Sequence, residues 1–268
     1  MDFLSRKNII LLKELIKTDF KLRYQGSAIG YLWSILKPLM LFTIMYLVFV
    51  RFLRFDDGTP HYAIGLLIST IFWSYFTEAT NMGMLSIVSR GDLLRKLNFS
   101  KHTIVLSSIC GAAINCLINL CVVFVFAAIN GLKFSLGSLM IIPMFLEITL
   151  LSLGIAFILA TLFVKYRDIG PIWEVMLQAG MYASPIIYSL GFILQRNQLG
   201  IAKVMMLNPI AQILQDIRHF VIDPSNIRGW DIAENVFLAI IPYALPILIF
   251  GLGLSIFNKN ANKFAEIL

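Results

Sequence analysis

The chain has 268 residues, 59% of them hydrophobic and 14% charged, with a formal net charge of +7. A soluble domain carries roughly a quarter charged residues, so this chain has too few to clothe a water-facing surface, and lipid is its outer solvent. The basic residues sit at the ends of apolar runs, where they set topology and meet anionic lipid, which excludes nucleic acid as a partner.

Residues 5–24 (SRKNIILLKELIKTDFKLRY) are too charged to span a membrane. At about 100° per residue, Ile9, Leu11, Leu12, Leu15, Ile16, Phe20 and Leu22 share one arc and the lysines the other. That pattern predicts an amphipathic helix lying in the membrane interface. Asp19 and Arg23 fall on the apolar arc four residues apart, which lets them pair locally or meet a partner. This charged opening has no short apolar core with a small-residue cleavage site, so no cleavable signal peptide is expected.

Six apolar runs follow, at 31–53, 62–88, 103–130, 138–164, 169–190 and 235–257. Each reaches the ~20 residues that cross a ~30 Å hydrocarbon core. With the N-terminus inside, fifteen Lys and Arg fall on the inner side and seven on the outer, so both termini are expected in the cytoplasm. The expected fold is therefore an all-α integral membrane domain over 1–268, with an interfacial helix and six transmembrane helices. Between the fifth and sixth spans, LNPIAQILQDIRHFVIDP (207–224) offers Asn208 as a cap and Pro209 at the first helical position. Ile210, Ile213, Leu214, Ile217, Phe220 and Val221 repeat with helical spacing, and Asp223-Pro224 ends the run. A shorter apolar helix is expected just before it, so the pair reads as a re-entrant outer hairpin, tolerated at membrane depth where it lines a cavity.

Chemistry-bearing motifs are absent. No GxxxxGK[ST] phosphate loop, HExxH or GxSxG occurs, and His61, His102 and His219 are scattered. Cys110, Cys116 and Cys121 share one apolar run without metal-ligand spacing, as small packing residues do. No catalytic or metal residue is assigned. Glu78, Glu147 and Glu174 lie in or beside spans and are read as structural or cavity-lining rather than proton-transferring. Phe42, Tyr46 and Phe49, spaced i, i+4, i+7, put rings on one face of the first span. With Tyr182 of the fifth, they are candidates for a channel whose aromatic planes let sugar rings slide; interfacial belts and lipid-facing packing are the other reading.

Several segments resemble, in order and over nearly the whole chain, the membrane subunits of ATP-binding-cassette exporters for polysaccharide, O-antigen and teichoic acid. They are DFKLRYQGSAIGYLWSILKPL (19–39), SRGDLLRKLNFSKHTIVLSS (89–108), KYRDIGPIWEVMLQAGMYASPIIYS (165–189), LNPIAQILQDIR (207–218) and FAEIL (264–268). Within that family the chain looks closest to exporters of Gram-positive wall polysaccharide, of the streptococcal rhamnose-rich type. The resemblance implies a homodimer bound to two copies of a separate ATPase, which holds the ATP and Mg, and no cofactor in this chain. It implies a glycan on undecaprenyl diphosphate as cargo. Region 89–102, with Asp92, Leu93, Leu94, Arg95, Lys96 and Leu97, would be the coupling helix. Asp19, Arg23 and Tyr24 would frame the entrance for the diphosphate head. Region 191–222, with Asn208, Pro209, Ile213 and Ile217, would be the outer gate. Other readings are an ATP-driven drug or antibiotic exporter and an integral-membrane enzyme modifying lipid or sugar. A secondary transporter is disfavoured, because no inverted repeat is detectable.

Overall fold

The computed structural model describes residues 6–23, 27, 29–52, 59–96 and 99–267. Among them there is helix and turn but no strand. Tyr24 and Leu97, both named above, lie outside the described residues, as does the side chain of Arg23.

Helix α1 (Arg6–Arg23) is followed by α2 (Trp33–Met45), which runs on as a π-turn over Tyr46–Phe52. Next come α3 (Tyr62–Ser89), the short α4 (Gly91–Lys96), α5 (His102–Ile129), α6 (Ile141–Lys165) and α7 (Ile169–Ala183). Two short helices, α8 (Leu190–Gln195) and α9 (Leu199–Met205), stand where a single one was expected. They precede α10 (Pro209–Ile217), which ends in a π-turn over Arg218–Ile222; α11 (Gly229–Ile232), α12 (Val236–Asn260) and α13 (Phe264–Ile267) close the chain.

Among the described residues four stretches are long and apolar enough to cross a membrane: Trp33–Phe52, His102–Ile129, Leu136–Lys165 and Val236–Lys263. The expected spans 62–88 and 169–190 fall short for different reasons. α3 has 28 residues, about 42 Å at 1.5 Å per residue, but Ser69, Thr70, Thr77, Glu78, Thr80 and Asn81 lower its hydropathy. It is the central helix, packed against α5 and α6 with Phe72, Tyr75 and Phe76 buried. α7 has 15 residues, about 22 Å. It ends because Pro185 disfavours helical geometry at Ser184, which is extended (φ −105°, ψ 143°).

The α6–α12 contact rests on two glycines. A Cβ on Gly253 would fall 2.2 Å from the Gly154 carbonyl oxygen, so only hydrogen lets the two backbones approach this closely. At one end of the bundle α1 packs on α5, and α13 meets α4 and α6, its Phe264 buried against Phe257. The inward face of α1 is Leu11, Leu12, Leu15 and Ile16, as the spacing predicted, but Ile9 is 40% exposed while Asn8 is buried. Asn8 is drawn in because its side-chain oxygen accepts from the Ser100 backbone N–H at 3.3 Å. At the other end α10 sits against the first turns of α6 and α12.

Candidate functional site

A cleft of about 1230 Å³ runs between α1, α2, α3 and α5. Its mouth lies at the α1 end. There Asp19 and Arg90 form an ion pair, the two side chains 20% and 14% exposed, and a second Arg90 nitrogen donates to Ser107 Oγ at 2.7 Å. Asp19 thus pairs across the chain with Arg90; the Arg23 side chain that spacing set beside it lies outside the described residues. Lys37, on the facing side of α2, is exposed at the same wall.

Deeper in, the wall combines amide, carboxylate and aromatic groups. Asn115 of α5 donates to Glu78 of α3 at 2.9 Å, and Asn119 donates to the Asn115 carbonyl at 2.8 Å. Trp33, Trp73 and Tyr75 add ring surface. Trp33 is 41% exposed, whereas Trp73 is held against α7, where a Cβ on Gly180 would lie 2.9 Å from its ring. The Tyr75 hydroxyl shares a 2.8 Å hydrogen bond with Thr149 of α6. Paired polar groups beside aromatic planes, in a wall otherwise apolar, suit a ligand with both hydroxyls and apolar ring faces.

The ring face proposed from sequence spacing is elsewhere. Phe42 is buried, its ring 5.8 Å from both Tyr46 and Phe126, so this face packs on α5 and does not line the cleft. Phe49 is half-buried beyond the cleft, and Tyr182 is 70% exposed on α7. Of the three glutamates, Glu78 lines the cleft, Glu147 faces α10, and Glu174 is exposed. Sequence reading missed Arg90, counted there only as a topology charge, and the Asn115/Asn119 pair. The pair carried a signal: two amides four residues apart inside an apolar run cost too much to face lipid.

On α4, Asp92, Arg95 and Lys96 are exposed while Leu94 is buried and Leu93 half-buried, so the helix is pinned by leucines and presents charge outward. At the far end Asn208 caps α10 through its side-chain oxygen, 3.0 Å from the Ile210 N–H, with Pro209 following as expected. Its amide also donates to Ser184 Oγ at 3.0 Å, tying α10 to the end of α7. Ile213 and Ile217 are fully buried, and Arg218 donates to the carbonyls of Ile186 and Tyr188, both at 2.8 Å. Nearby, the Arg228 guanidinium holds the Asp231 carboxyl below its ordinary pKa by hydrogen bonding. Among the described residues no three His, Cys, Asp or Glu side chains gather as metal ligands.

Several long apolar helices among the described residues mark a multi-pass membrane protein, with a partly polar, aromatic-lined cleft between them. Residues 10–220 match the family described as ABC-2 type transporter, and the chain belongs to it. It is similar to two O-antigen export system permease proteins RfbA of Klebsiella pneumoniae, each 26% identical over 259 residues that cover 96% of this chain and 95% of theirs. The same-named protein of Myxococcus xanthus is 24% identical over 257 residues, 96% and 94% of the two chains. Both the family and these relatives place the chain in the bacterial inner membrane.

Proposed function

We propose that this chain is the permease subunit of an ATP-driven exporter that carries polysaccharide linked to undecaprenyl diphosphate across the cytoplasmic membrane. The observation that carries the reading is the cleft, lined by Arg90 and Lys37 together with Trp33, Trp73, Tyr75, Glu78 and Asn115. Guanidinium and ammonium groups suit a diphosphate head, and ring faces interleaved with amides suit sugar. Membership of the ABC-2 type transporter family and likeness to O-antigen export permeases support the same cargo class.

On this reading α3 and α7 complete six crossings, both termini are cytoplasmic, and a second copy faces the first. Two ATPase subunits bind ATP and Mg, and α4 docks in a groove of each. Closure of the ATPase pair pushes α4, which continues from α3 through Arg90 and so moves the cleft mouth directly. The hairpin of 191–222 then opens the far end. The deciding experiment is depletion of this chain in its host, followed by extraction of lipid-linked glycan. Glycan-lipid accumulating inside, with loss of surface polysaccharide, is the expected result. Normal surface polysaccharide with no accumulation would overturn the proposal.

A further inference from the structure

Where α10 enters the bundle, the meeting point of α6, α10 and α12 holds more hydrogen-bond acceptors than donors can satisfy. Gln212 and Asp216 of α10 are each 2% exposed. Asp216 Oδ2 accepts from the Gln212 amide at 2.7 Å and from the Tyr243 hydroxyl of α12 at 2.6 Å. The other oxygen, Asp216 Oδ1, has no partner, and neither has Gln212 Oε1 or Glu147 Oε1; all three are shut off from solvent. The Glu147 carboxyl of α6 lies against the Gln212 side chain and within electrostatic reach of Asp216. Two carboxylates and an amide carbonyl therefore stand together in a low-dielectric interior, each with a buried oxygen unspent.

The cationic side chains nearby are committed elsewhere. Arg228 forks onto Asp231 at 2.9 and 3.2 Å, Arg218 donates to the carbonyls of Ile186 and Tyr188, and His219 Nδ1 is 2.7 Å from the Asn226 carbonyl. Lys203 pairs with Glu234 at 2.5 Å. A cavity of about 220 Å³, lined by Gln212, Tyr243, Trp230 and the Lys203–Glu234 pair, reaches the Gln212 side of the cluster, while Glu147 and Asp216 lie outside its lining. An all-oxygen set with a formal charge of two and a free amide carbonyl is the chemistry of a hard cation.

We infer that Glu147, Gln212 and Asp216 form a binding site for a divalent, oxygen-liganded cation that pins the α10 hairpin to α6. Its two charges match the two carboxylates, and its ligands come from two helices, α6 and α10, that the hairpin must separate in order to move; α12 joins them through the Tyr243 hydroxyl on Asp216. The inference does not depend on what the exporter carries.

The test is thermal unfolding of the purified full-length chain in detergent, stripped with chelator and then titrated separately with Ca²⁺ and Mg²⁺. The expected result is a saturable rise in the unfolding midpoint with at least one ion, lost in both Glu147→Gln and Asp216→Asn and kept in Glu174→Gln, exposed on α7 outside the cluster. No saturable rise, or an equal rise in the two cluster variants, overturns the site. A midpoint that ignores both metals but climbs as pH falls also overturns it, because protons would then satisfy the carboxyls. Should a variant fail to fold, calorimetric titration of stripped wild-type chain decides: about one ion per chain supports the site, and no binding removes it.

Discussion

A methyl group at Gly253 would sit 2.2 Å from the Gly154 carbonyl oxygen and 2.9 Å from its carbon, whereas one at Gly251 would meet nothing within 4 Å. The two positions lie on the same helix, two residues apart, so they separate packing from helix propensity. Gly253→Ala must push α12 off α6, at a cost of about 1–3 kcal/mol, and should lower the unfolding midpoint by several degrees. Gly251→Ala gains about 0.5–1 kcal/mol of helix propensity and should hold the midpoint or raise it; equal effects of the two variants would dismiss the contact. What a single residue announces in sequence depends on how near its partner lies. Asn208 and Pro209 were legible as a cap because the bond they make closes within two residues. Asp19 was read against Arg23, its neighbour on the helix, since nothing in spacing reaches the 71 residues to Arg90.

Elements were legible where a periodic or apolar run was long. α1, α3, α5, α6 and α12 appear near their expected bounds because the length of such a run fixes a helix whatever it packs against. The aromatic face of α2 misled because period places residues on one side of a helix without saying what that side meets; Phe42 meets Phe126, and Trp33 meets the cleft. α4 shows the opposite case, a six-residue helix whose meaning lies in its outward charge. With Leu94 buried and Arg95 and Lys96 exposed, charge reversal of the last two should leave the chain folded and weaken capture of an ATPase subunit. Each exposed pair is worth about 0.2–1 kcal/mol. Replacing two attractions by two repulsions therefore weakens binding by on the order of tenfold. Co-purification from membranes in mild detergent reads this directly, and undiminished capture by the double variant would remove α4 from the docking surface.

At the scale of the whole molecule, the cleft offers binding without a source of direction. Asp19 is held by Arg90 and Glu78 by Asn115, while Lys37 stands exposed at the same wall. A ligand can shift a conformational equilibrium only by its differential affinity for the two states, so a passive conduit equilibrates its cargo and moves none of it uphill. A diphosphate-linked glycan adds the cost of carrying charge past hydrocarbon, which Arg90 and Lys37 meet only at the mouth. On the proposed function, net transfer needs a cycle in which α4 is driven from outside, and this chain alone in vesicles should give no nucleotide-independent turnover. Adding the ATPase subunit with ATP should start transfer of lipid-linked glycan, and a non-hydrolysable nucleotide should hold it to a single turnover at most. Full turnover by the chain alone would mean that the cleft draws on another gradient. On the proposed function, in which α4 meets the energy source and the cleft the cargo, charge reversal at Arg95 and Lys96 should slow the driven reaction without altering how much glycan-lipid the isolated chain binds.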